Sequence, residues 1–269
     1  MQHWIKTLVV VVVGCHALQP CSAQFSDSTR RLVPALDTLP LRIDWNKPVP
    51  DYRFPLQSFI IPAGMISYGV SSFALKGVKN LNENIKEEVA IEHPHHKLTI
   101  DNYLQYAPAV AVYGLNAMGI HGKHNFKDRS ILYGMSMIIS NATVFSIKKF
   151  SNVQRPDESN YYSFPSGHTA NAFVAAEFMR QEYKDVSPWY GVAGYAVAAT
   201  TGYLRMYNNK HWFSDVVAGA GVGIASTKLA YWLYPIIKRG FSKNKDLNTV
   251  VMPTYSQGAF GLGLVHKFK

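Results

Sequence analysis

Residues 216–237 read VVAGAGVGIASTKLAYWLYPII, and this stretch decides the fold. It is apolar and rich in small residues, and it is long enough to cross a bilayer as one helix. Tyr231, Trp232 and Tyr234 near its end suit a membrane–water interface. Working back along the chain, Phe59–Leu75, Tyr103–Ile120, Ser130–Ile147, His168–Met179 and Pro188–Leu204 have the same character, with polar turns between them. Lys76 to Leu98, between the first two, is charged and helical in propensity until Pro94 ends it. Together these stretches predict an all-α protein, a helical bundle of about six core helices over residues 56–240.

The flanks differ. Lys6, the apolar run Leu8–Gly14 and the small residues Cys21-Ser22-Ala23 predict a signal peptide over 1–23, cut before Gln24. Val12-Val13-Gly14-Cys15 resembles a lipoprotein processing site, which is the competing reading. Residues 24–55, with Pro34, Pro40, Pro48, Pro50 and Pro55, read as a linker. The tail, 241–269, carries two extended apolar runs and predicts a small hairpin turning near Gly258 and packed on the bundle.

Both cysteines, Cys15 and Cys21, lie in the leader, so a cut chain would hold no disulfide, thiolate nucleophile or Cys-bound zinc. His93, His95 and His96, and His121 with His124, lack the acidic or thiol partners of a tight zinc site. Lys plus Arg is 27 against 17 Asp plus Glu, a net charge of +10. That favours anionic partners, and the scattered cations argue against nucleic acid. A mean hydropathy of −0.05 and interruptions at Pro62, Asn116 and Asn141 favour an exported periplasmic bundle. Membrane-associated or integral helices are the alternative.

Three clusters carry chemistry. The first is Lys148…Arg155-Pro156. Pro156 keeps Arg155 out of a helix, and an ammonium with a guanidinium suits a phosphate. The second, Pro165-Ser166-Gly167-His168, reads as a helix start, with free amides for an anion and an imidazole for proton transfer. The third is Arg205…His211…Asp215. On a helix, His211 and Asp215 share a face, and the carboxylate would fix the imidazole's tautomer. Taken singly, the clusters also read as a basic surface patch, a capped helix and an ordinary surface pair.

As an ordered set, K-x6-R-P, P-S-G-H and R-x5-H-x3-D, they resemble the signature of the type 2 phosphatidic acid phosphatase family. That family shares a superfamily with bacterial class A acid phosphatases and vanadium haloperoxidases. The resemblance covers roughly residues 56 to 237, with one departure: Leu204 stands where the family has a serine before the arginine.

The resemblance implies that Lys148, Arg155 and Arg205 hold phosphate oxygens, with amides near Ser166 and Gly167. It makes His211 the nucleophile, Asp215 its orienter and His168 the acid and then the base. No metal or other cofactor is implied, and vanadate is expected to inhibit. The implied function is hydrolysis of phosphate monoesters or pyrophosphates. The substrate would be a phosphorylated lipid at a membrane surface: lipid A, a polyprenyl pyrophosphate or a phosphatidyl phosphate. Rival readings are a soluble broad-specificity acid phosphatase, a haloperoxidase, and a non-catalytic phosphate- or lipid-binding membrane protein.

Overall fold

The computed structural model describes residues 8–13, 54–92, 96–243, 249–256 and 259–267. It divides into two compact units, Tyr52–Lys238 and the paired termini Met1–Asp51 with Arg239–Lys269. In the second unit, strands β1 (Leu8–Val13), β2 (Thr249–Ser256) and β3 (Ala259–Lys267) form an antiparallel sheet in the order β1-β3-β2. β2 and β3 are the expected C-terminal hairpin, with Ser256 opposite Ala259. The expected turn at Gly258 lies outside the described residues, as does the expected linker apart from Phe54 and Pro55. Leu8–Val13, read above as the apolar core of a leader, pairs along β3 from Lys267 to Leu262.

The helical unit begins with α1 (Leu56–Ser71) and α2 (Lys76–Lys86), which continues as a π-helical turn to Ile91. A short α3 (Asp101–Leu104) precedes α4 (Ala107–Ala117), which starts with Pro108 in its first turn. The long elements are α5 (Phe126–Ser151), α6 (Gly167–Tyr183), α7 (Pro188–Tyr207) and α8 (Phe213–Lys243). Local chemistry sets their ends. The Asn125 side chain accepts the Asp128 amide at the start of α5, and Asn152 closes that helix in the left-handed conformation at φ 48°. Ser166 caps α6, and Ser187 followed by Pro188 opens α7.

Six helices, α1 and α4 to α8, make the bundle, and α5 to α8 each meet the same end. α5 and α7 finish there, at Lys148 and Arg205, while α6 and α8 begin there, at Gly167 and Phe213. α8 is the hub, because its small residues let neighbouring backbones approach. A Cβ on Gly219 would lie 2.5 Å from the Ser166 carbonyl oxygen. One on Gly223 would lie 2.4 Å from that of Ala170, and one on Gly221 2.7 Å from that of Pro62. At the far end, buried Glu182 accepts hydrogen bonds from the His124 amide, Arg129 Nε and Tyr231 Oη. His124 is thus committed to a carboxylate, while His93 and His95 lie outside the described residues.

Phe126–Ser151 and Phe213–Arg239 are long and apolar enough to cross a membrane, and α1 with α2 forms a third such pair bent by 89°. The most apolar window of α5 is only 22% buried, with Ile138, Phe145 and Phe150 exposed. Polar groups face the other way: Ser136, Ser140, Glu177 and Glu182 are buried. Apolar outside and polar inside is the arrangement of a bundle in lipid. The preference for a water-soluble bundle is therefore corrected to an integral membrane one.

The close approach of α8 to Ser166 predicts opposite effects for two similar changes. Gly219→Ala should destabilise by about 1–3 kcal/mol, because its neighbour is backbone and cannot swing away. Gly134→Ala, with nothing within 4 Å of the new Cβ, should be neutral or stabilising by about 0.5–1 kcal/mol. Thermal unfolding of both in detergent checks the contrast, and equal midpoints would contradict the packing.

Candidate active site

The last turn of α5 delivers Lys148, whose Nζ donates to the carbonyls of Tyr162 at 2.6 Å and Ser163 at 3.2 Å. An ammonium has three protons, so one remains. Arg155 sits in the loop after α5, as Pro156 predicts. Its amide donates to the Asn160 carbonyl, and the loop is tied to the α7–α8 turn by an Asp157–Lys210 ion pair. Arg205 ends α7, and its Nη1 donates to Asp101 Oδ2 at 2.5 Å. The Nε atoms of Arg155 and Arg205 are both buried without a hydrogen-bond partner among the described residues. A buried guanidinium N–H left unpaired is costly, and an anion's oxygens would satisfy it.

Ser166 differs in part from its expected role. Its amide donates to the Asp215 carbonyl at 3.0 Å, so it is not free for an anion. Its hydroxyl accepts from Thr169 Oγ1 at 2.8 Å and keeps its own hydrogen to donate. The next amides, at Gly167 and His168, are first-turn donors with no intrahelical acceptor. They are the amides of this turn left free to donate.

The third cluster also departs from expectation. His211 precedes α8, which begins at Phe213, so His211 and Asp215 do not share a helix face. Asp215 instead reaches back across the helix start. Its Oδ2 accepts from the Trp212 amide at 3.0 Å and Ser163 Oγ at 2.5 Å, and lies 3.4 Å from His211 Nδ1. Ser163 Oγ is 3.5 Å from the same ring nitrogen. A proton on Nδ1 faces the carboxylate, which leaves Nε2 with its lone pair.

Lys148, Arg155, Arg205 and His168 all bear electrostatically on His211, so the expected set does converge. Burial, reinforced by Lys148, Arg205 and Arg155, holds the His211 pKa well below its ordinary value. His168 is pushed down to about 4, first by burial and then by Arg205, with Asp101 opposing. Both imidazoles are therefore neutral near pH 7. Leu204 is buried beside Arg205, where a family serine hydroxyl would otherwise stand.

Sequence reasoning missed four residues. Ser163 lies two positions before Pro165, and its only signal is that proximity. Trp212 acts through its amide, which no side-chain pattern reveals. Asp101 and Asn102 lie far upstream of the first cluster, yet Asn102 Oδ1 is 2.8 Å from His168 Nε2.

Residues 129–239 match the model of the PAP2 superfamily. That segment contains all three clusters, and over it the chain is similar to this superfamily, whose signature the spacing resembles. A curated relative, Lipid A 1-phosphatase of Porphyromonas gingivalis, is 38% identical over 165 residues. The alignment covers 60% of this chain and 36% of the relative, so the chain spans about a third of that protein's length. Two crystal structures are similar. Aquifex aeolicus LpxE has TM-score 0.43 and 23% identity, over 56% of this chain and 94% of that one. A transmembrane PAP2 type phosphatidylglycerolphosphate phosphatase from Bacillus subtilis has TM-score 0.45 and 20% identity, over 69% and 97%.

The depressed His168 pKa makes anion binding pH-dependent. A bound dianion stabilises the imidazolium, so its pKa rises in the complex and a proton is taken up on binding between the two values. Sulfate, a dianion that does not titrate in this range, should therefore bind more tightly as pH falls from 7 toward 4, by up to about tenfold per unit. Titration calorimetry checks this, with His168→Ala expected to flatten the dependence. A flat wild-type profile would count against His168 as the proton store.

Proposed function

We propose that this protein is a metal-independent phosphatase of membrane lipids that works through a phosphohistidine. The observation that carries the reading is His211: a buried neutral imidazole with Nδ1 toward Asp215 and Ser163, set in the field of three cations. Lys148, Arg155 and Arg205 hold the non-bridging oxygens, helped by the Gly167 and His168 amides and the Ser166 hydroxyl. His211 Nε2 attacks phosphorus in line. His168 gives a proton to the leaving oxygen and then takes one from the water that releases phosphate. Fixed cations aimed at the transferring group supply the stabilisation a metal would give, and vanadate, which occupies the same geometry, inhibits.

The lipid part of the reading is supported by a cavity of ≈ 410 Å³ beside the second cluster. Ile66, Val70, Phe73, Ile147, Phe150 and Phe164 line it, and Ile147 is next to Lys148. Such a surface suits an acyl or prenyl chain, and the exposed apolar face of α5 keeps that chain's end of the protein in lipid. The relative named for lipid A makes a lipid A phosphate the first substrate to try.

The test is phosphate release by purified protein in EDTA, across lipid A, phosphatidate, undecaprenyl pyrophosphate and p-nitrophenyl phosphate. Lipid phosphates should be cleaved in preference to the soluble ester. His211→Ala should abolish turnover, and loss of any one cation should cost roughly a hundredfold. Activity that vanishes on chelation and returns with metal would overturn the mechanism. Binding of lipid phosphate without release would favour a binding protein.

A further inference from the structure

The segment from Leu98 to Gln105, outside all three clusters, is fastened to them at four points. The Leu98 amide donates to Asn208 Oδ1 at 2.9 Å, and Asn208 Nδ2 donates back to the Leu98 carbonyl at 2.7 Å. Asp101, 1% exposed, accepts from Arg205 Nη1. Asn171 Nδ2 donates to Gln105 Oε1 at 3.1 Å. The fourth point is the contact between Asn102 Oδ1 and His168 Nε2.

These contacts are not equivalent. The first three fix the segment against the end of α7 and the start of α6. Asn102 is itself exposed, so its contact with His168 adds little burial. A carboxamide oxygen can only accept, so this contact keeps a hydrogen on His168 Nε2. The nitrogen left to gain and lose a proton is Nδ1. Outer partners of this kind set tautomer and ring orientation wherever an imidazole must act in one geometry.

We propose that Asn102 is a positioning residue for the reaction, held in place by Asp101 on Arg205, and that it presents His168 Nδ1 to the leaving oxygen. This rests on the phosphatase reading above. In the first step the His211 Nε2 lone pair forms the N–P bond. The electron pair of the breaking P–O bond goes to the leaving oxygen, which takes the proton from Nδ1 of the doubly protonated His168. In the second step a water oxygen bonds to phosphorus, its proton passes to Nδ1, and the N–P electron pair returns to His211. Asn102 accepts from Nε2–H throughout.

The charged and titratable groups facing His168 are Arg205 on α7, Asp101 on α3, Arg155 in the loop after α5, and Lys148 on α5. His211, before α8, completes the set. Asn102→Asp would add a carboxylate to this surround. It would stabilise the imidazolium and raise the pH at which the acid is lost.

The test compares Asn102→Ala and Asn102→Asp with wild type in the full-length chain, using phosphatidate and p-nitrophenyl phosphate. Asn102→Ala should lose about tenfold or more in kcat, with KM changed less than about threefold. Unaltered vanadate inhibition would report an intact anion site. Asn102→Asp keeps an acceptor, so it should recover most of the lost kcat and move the alkaline limb of the kcat profile up by about one pH unit. A kcat for Asn102→Ala within threefold of wild type, or an unmoved limb for Asn102→Asp, overturns the proposal. If wild type hydrolyses neither ester, the phosphatase reading falls. If wild type is active and both variants match it, only the role of Asn102 falls.

Discussion

One carboxylate holds the site together. Asp215 sits in the first turn of α8 and accepts from the Trp212 amide and the Ser163 hydroxyl, while facing His211. Its own carbonyl receives the Ser166 amide. The side chain thus closes the start of α8 and orients the second-cluster loop and His211, while the backbone locks the Ser166–Gly167 turn to the same residue. Burying a carboxylate is costly, and here two direct hydrogen bonds and the surrounding cations offset only part of that cost. Moving Asp215 would separate His211 from the Ser166–Gly167 turn, and the two clusters would cease to face one anion.

The bundle is arranged around that lock. Ser166 is bonded to Asp215 on one side and pressed against Gly219 on the other, one helical turn further along α8. The spacing of four that joins Gly219 to Gly223 continues the contact down α6, so helix packing and site geometry share a surface. Small residues at such a seam let backbones meet, which is how helices associate in lipid, where apolar side chains gain little by burial against each other. Precision at the end where the three clusters meet is therefore inherited from packing along the whole α6–α8 seam.

Much of this was legible in the sequence, because a helix and its caps are local. The apolar stretches foretold the six core helices, and Pro156 and Ser166 correctly marked a loop and a helix start. What failed was what depends on assembly. The spacing of His211 and Asp215 suggested one helix face, but a carboxylate at the third position of a helix is better used capping its start. The preference for a soluble bundle came from averaging. Polar residues turned inward, such as Glu177, Glu182 and Arg129, lower the mean hydropathy as much as polar residues in water do. Only the fold tells which side they face. Asp101 and Asn102 carried no signal, because their partners lie more than sixty positions away.

On the proposed phosphatase reading, charge balance links these parts to catalysis. Three cations, Lys148, Arg155 and Arg205, share the site with two carboxylates, Asp101 and Asp215, leaving one positive charge in a poorly solvated space. A phosphate dianion reverses the sign and leaves one negative charge. A proton on His168 restores neutrality, and in a low-dielectric site an unbalanced charge is expensive enough to drive its uptake. An acid kept empty without substrate and filled by its arrival wastes no protonated enzyme. It also delivers the proton beside the oxygen that needs it. On this view the depressed basicity of His168 is the counterpart of its role: the cations that disfavour the imidazolium in the empty site are the ones a bound dianion cancels.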